Sequence, residues 1–125
     1  MKSEFKFTLE MLNDVLCKAI EAANAAGDEW MAKAEPRYVV TDGSSISGVM
    51  LDVCGNAHVR FYDKRKKWFK EFDKAGFVST ADVLAIPHKF KYRQEYGLQM
   101  ACAEAAANSL REQGVTGIRI WSYID

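Results

Sequence analysis

Apolar residues change their spacing several times along the chain, and each change predicts an element. Behind Thr8, a residue type suited to cap a helix start, Leu9, Leu12, Leu16, Ile20 and Ala23 recur at a helical period. The first helix then either stops at Gly27 or runs on through DEWMAKAE as far as Pro36, which forbids further extension. The short β-branched run 37-RYVVT reads as a strand, and DGSSISG after it as a loop.

Period two takes over in 51-LDVCGNAHVRFY. Leu51, Val53, Gly55, Ala57, Val59 and Phe61 point one way, and Asp52, Cys54, Asn56, His58, Arg60 and Tyr62 the other. A two-residue turn at Gly55-Asn56 would instead make a hairpin. That folding sets Val53 against His58 and Leu51 against Arg60, mixing the faces, so one strand over 51–62 is the consistent reading. Gly55 and Ala57 then place small side chains mid-strand on the buried face, where a helix can approach closely. Asp63 is placed to cap a helix from Lys64 to Ala75 that Gly76 closes. Its wheel puts Trp68, Phe69, Phe72 and Ala75 on one side and Lys66, Lys67, Lys70 and Lys74 on the other.

The segment 83-VLAIPHKF holds a short strand, assigned to an edge or a strand end by Pro87. A long alanine-rich helix spans YRQEYGLQMACAEAAANSLREQG and stops at Gly114. The last strand, 118-IRIWSYID, sets Ile118, Ile120 and Ile124 opposite Arg119, Trp121 and Tyr123. The order α-β-β-α-β-α-β predicts an α+β two-layer sandwich, a mainly antiparallel four-stranded sheet with three helices on one face. Its open face would carry Cys54, Asn56, His58 and Arg60 together with Trp121 and Tyr123.

Composition bounds the possibilities. A chain of 125 residues has the size of one domain, 1–125, with one core. At 49% hydrophobic and 27% charged residues it falls in the globular range, which argues against disorder. The 17 basic and 17 acidic groups exclude a globally polyanion-seeking protein, but they are zoned. Residues 58–93 hold ten basic and four acidic groups, while both flanking segments are net acidic. Cys17, Cys54 and Cys102 include no C-x-x-C pair, and a reducing cytoplasm suits thiols so spaced. Acidic residues within MKSEFKFTLEML argue against a signal peptide, and no apolar run is long enough to span a bilayer.

Candidate chemistry is sparse. Alternate strand residues lie about 6.6 Å apart, so Cys54 and His58 are about 13 Å apart along one strand. Proton transfer needs contact near 3 Å, roughly, so a thiol–imidazole pair would require His88 instead. No Cys/His spacing suggests zinc, and DGSSISG lacks the lysine and the strand–loop–helix setting of a phosphate loop. The run 64-KRKK is more telling. Cations in a first helical turn oppose the helix dipole at about 0.3–1 kcal/mol each, and such rule-breaking clusters at functional surfaces. With Lys89, Lys91 and Arg93 nearby in sequence, an anion-binding patch is expected, and Trp121 or Tyr123 offer rings on which bases can stack.

The segments 17-CKAIEAANAAG, 54-CGNAHV, 64-KRKKWFKEFDKAG, 99-QMACAEAAANSL and 118-IRIWSYID together resemble a group of small proteins encoded in tailed-phage genomes. Asn56 and His58 stand where that group is expected to carry large aromatics. The resemblance implies an accessory protein of the infected bacterial cytoplasm and supplies no catalytic residue. The expectation is therefore a small binding module rather than an enzyme, needing no cofactor and no metal. It would act on a host protein or on a second copy of itself through the open sheet face, with Asn56, His58, Arg60, Trp121 and Tyr123, and through the lysine helix. The alternative is nucleic acid or another polyanion on Arg60, Lys64, Lys66, Lys67, Lys70 and Lys74. A third reading is an enzyme using Cys54, His58 or His88.

Overall fold

A computed structural model of the chain describes residues 7–35 and 53–124 with their side chains, and 37–41 and 45–50 as backbone. Helix α1 covers Leu9–Lys33, and the Thr8 hydroxyl caps it by accepting from the Met11 N–H at 3.1 Å. Gly27 does not stop it. A Cβ at Gly27 would lie 2.4 Å from the Phe90 ring and 3.0 Å from Cys102 Sγ, so this glycine permits a close approach within a continuous helix.

Strands β1 (Arg37–Thr41) and β2 (Ser45–Met50) pair antiparallel with each other. Ser45–Met50 includes part of the segment expected to be loop. Strand β3 (Gly55–Phe61) follows, then α2 (Lys67–Lys74), α3 (Tyr96–Glu112) and β4 (Ile118–Ile124), which pairs antiparallel with β3. The expected four-stranded sheet is thus not formed: among the described residues neither sheet, β1–β2 nor β3–β4, has more than two strands.

The strand expected within 83-VLAIPHKF is absent as well. Val83 contributes an isolated bridge to Arg60 on the far edge of β3, with the Leu84 N–H donating to the Val59 carbonyl at 2.9 Å. Asp82, in the left-handed region at φ 62°, turns the chain just before this contact, and Pro87 lacks the N–H a ladder would need just after it.

The alternation of β3 is as the pattern demands. Gly55, Ala57, Val59 and Phe61 are buried, Asn56, His58 and Arg60 half-buried, and the backbone runs through Gly55-Asn56 without reversing. Leu51 and Asp52 lie outside the described residues, and Val53 is exposed and precedes the strand. Gly55 has a packing reason: a Cβ there would sit 2.6 Å from the Tyr123 carbonyl oxygen and 3.0 Å from Tyr96 Cβ.

Helix α3 touches β3, β4 and α1. Small residues make that closeness possible: Ala19, Ala23 and Gly27 on α1 and Cys102, Ala103, Ala106 and Ala107 on α3 are all buried. The aromatic side of α2 closes the core at the other end, with Phe61 5.3 Å from Phe69 and 6.1 Å from Phe72, centroid to centroid. Two buried polar residues tie the loop before α3 in place. The Gln99 amide donates to the Phe90 and Arg93 carbonyls at 2.8 and 3.0 Å. Burial, the largest single influence, would raise the Glu95 carboxyl, but the hydrogen bonds and charge of the Arg93 guanidinium, together with backbone hydrogen bonds at Gln94 and Glu95, outweigh it and hold the group below its ordinary value.

Helix α2 begins three residues later than its pattern suggests. Asp63 does not cap it: its carboxylate accepts from the Arg65 N–H and side chain, each at 3.0 Å, and its carbonyl from the Lys66 N–H. This local turn keeps Lys64 and Arg65 out of the helix and leaves Lys66, extended at φ −67° and ψ 139°, at its border. Only Lys67 of the four cations stands in the first turn, so most of the dipole conflict is removed by not forming that turn.

Candidate functional site

Antiparallel pairing sets Asn56 opposite Tyr123, His58 opposite Trp121 and Arg60 opposite Arg119. In a two-stranded ribbon such pairs share one face. The face expected from alternation is therefore assembled: Asn56, His58, Arg60, Trp121 and Tyr123 meet on it. His58 lies 5.7 Å from Trp121 and 6.4 Å from Tyr123, and the two larger rings are 5.7 Å apart. The Arg60 guanidinium stands 5.5 Å from the Trp121 centroid, and Arg119 stands 4.2 Å from that of Tyr62. Trp121, Tyr123 and Tyr62 are exposed at 41%, 42% and 57%, a large aromatic surface to leave in water. Cations over indole and phenol faces are attracted by the ring quadrupole, so Trp121 is held between neighbouring rings and the Arg60 charge, and Tyr62 lies against the Arg119 charge.

Toward the end of β3 the face opens into a groove of about 610 Å³ lined by Arg60, Tyr62, Lys64, Asp82, Arg119 and Trp121. Lys64 is ion-paired with Asp82 at 3.2 Å. Arg119 and Tyr62 belong to this face though they were not among the expected binding residues. Both share the alternation phase of Trp121 and Arg60, and that phase was the available signal.

Apart from Lys64, the expected lysines do not join this groove. Lys67 points its ammonium at Phe7, 5.7 Å from the ring centroid, and Lys74 lines a separate depression with Phe7, Leu9 and Leu12. Lys66, Lys67 and Lys70 are exposed but do not line the groove. The second basic stretch is also spent internally, since Lys89 is ion-paired with Asp28 and Arg93 with Glu95. Lys91 lies against the Tyr92 ring, 4.9 Å from its centroid.

His58 and His88 do share a site, a small cavity of about 90 Å³ between β3 and α3. The thiol on its wall is that of Cys102, which burial, with help from Asp28, pushes up to about 11. Such a thiol stays protonated at neutral pH and is a poor nucleophile. Cys54 is not part of that wall; its sulfur faces the Gln94 side-chain oxygen at 3.8 Å. Burial lowers the pKa of both histidines, with Lys91 adding to the effect at His88. Among the described residues no cluster of three His, Cys, Asp or Glu side chains could hold a metal ion, and no helix is long and apolar enough to cross a membrane.

No protein-family model, curated protein or solved structure matches the chain.

Proposed function

We propose that the protein is a non-enzymatic binding module whose β3–β4 face takes single-stranded nucleic acid. The observation that carries this reading is the clustering of His58, Trp121 and Tyr123, ring against tilted ring, beside Arg60 and Arg119 on one exposed ribbon face. Bases of any identity stack on such rings, and interleaved guanidinium groups meet the phosphates between them. The footprint is the ribbon and its groove rather than the lysines of α2. The resemblance to phage-encoded proteins supports action in the cytoplasm of an infected bacterium.

The test is fluorescence anisotropy with a labelled single-stranded oligonucleotide, at low and raised salt, alongside the same sequence as a duplex. Binding that prefers the single strand, quenches tryptophan and weakens with salt supports the reading. No binding at low salt removes it. A second reading, a protein partner on the same face, draws on the exposure of Trp121, Tyr123 and Arg119 together, residue types that dominate protein hot spots. A pull-down from bacterial lysate with and without nuclease separates the two.

A further inference from the structure

We propose that the outer edge of β4 is a self-association edge, on which two copies pair β4 to β4, antiparallel, about a two-fold axis at Trp121. The argument starts from where the backbone groups point. The Gly55 and Phe61 N–H groups donate away from β4, to Gln94 and Asp82, whereas the Tyr62 N–H donates to Gly117 just before β4. Even-numbered residues of β3 therefore face β4, and the register puts them opposite Arg119, Trp121 and Tyr123. By the alternation of an antiparallel ladder, Ile118, Ile120, Ser122 and Ile124 aim their N–H and C=O groups outward.

Among the described residues no strand pairs with that side. Among the described side chains, one reaches that edge, the Arg111 guanidinium at 3.3 Å from its first carbonyl, that of Ile118. Soluble proteins guard such edges with proline, lysine, bulges or very short strands. The seven residues IRIWSYI contain no proline, glycine or lysine, pair with β3 without a bulge, and carry one charge, Arg119.

The occupant is a second copy because the strand is its own complement. Centring the axis on Trp121 overlaps the full strand and keeps outward residues opposite outward residues: Ile118 meets Ile124, and Ile120 meets Ser122, of the second copy. Arg119 falls opposite Tyr123 of the second copy, repeating the cation–ring contact it makes with Tyr62 and keeping the two arginines apart. Ile124, 62% exposed, comes to lie beside Ile118 of the second copy. The aromatic faces of both copies join into one surface.

Sedimentation across a concentration series, without any oligonucleotide, tests the pairing independently of the ligand. The expected mass approaches twice the 14.1 kDa of one chain. Ser122→Pro, which removes an outward N–H, shifts the protein to monomer. Ser122→Ala, which loses only the 3.1 Å contact between the Ser122 and Tyr96 hydroxyls, stays dimeric. For register, Trp121→Cys in a Cys17→Ser, Cys54→Ser background forms an intermolecular disulfide on mild oxidation, because the Cα atoms at the axis lie about 4.5 Å apart. Tyr123→Cys in that background does not, its copies lying about 14 Å apart along the strands. A monomer at every concentration, a Ser122→Pro protein as dimeric as the parent, or equal cross-linking of the two cysteine variants overturns the proposal.

Discussion

The Arg60 guanidinium carbon lies 5.5 Å from the centroid of the Trp121 ring, and the two residues come from strands that meet only through tertiary folding. A cation held over an indole limits the rotamers of both side chains, so the exposed ring is partly ordered before any ligand arrives. Stacking on a ring already in place costs less conformational entropy than stacking on a mobile one.

Trp121→Ala is therefore expected to weaken single-stranded oligonucleotide binding by about 1–3 kcal/mol, and Trp121→Phe to restore most of it. Arg60→Gln and Arg119→Gln should each lower the salt dependence by about 0.7 in log–log slope. Lys70→Gln and Lys74→Gln should leave affinity unchanged. Anisotropy titrations at several salt concentrations measure all six, and a large effect at Lys70 would move the footprint back to α2.

Gly27→Ala should destabilise the fold although alanine is the better helix former by about 1 kcal/mol. The added methyl group meets the Phe90 ring at 2.4 Å, and overpacking of this kind costs about 1–3 kcal/mol. Urea unfolding gives the sign directly; a more stable variant would mean that Phe90 swings away without loss.

Burial lowers the pKa of His58 and His88 in the folded state. As pH falls through about 6.5, the unfolded chain takes up protons that the folded chain refuses, so stability present at neutral pH is lost. The Nδ1 atom of His88 also accepts the Phe90 N–H at 3.2 Å, a bond that protonation there would remove. The urea midpoint should drop between about pH 7.5 and pH 5.5, and a His58→Gln, His88→Gln variant should flatten the profile over that window.

Alkylation should divide the thiols by position. Iodoacetamide is expected to label exposed Cys17 in the native protein and to reach Cys102, buried and pushed up to about 11, only after unfolding. Peptide mapping after timed quenching reads the order. Early labelling of Cys102 would show that the α1–α3 contact opens readily.

Period-two spacing made the exposed ribbon face readable from sequence, because facing residues of β3 and β4 depend on parity alone. The pairing that brings Arg60 to Trp121 was not readable, since nothing local specifies which strand a strand will meet. Helix α2 was placed on the correct aromatic residues but started too early, because an Asp63 turn competed with the helix for the same backbone groups. The expected strand near Val83 had suitable residues but too little uninterrupted length between Asp82 and Pro87 for more than a bridge. Gly27 looked like punctuation, and its packing role emerged only once Phe90 was known to lie against it.

Phe61 pairs with Ile118 and Gly55 with Ile124, partners nearly sixty positions apart or more. During synthesis on the ribosome, β3 emerges and must wait for α2, the following loop and α3 before its companion exists. Joining contacts so distant in sequence is among the slower steps of folding. Until that moment the nascent chain has Arg60 but no Trp121 indole beneath it, so the aromatic face is assembled only when the fold is complete.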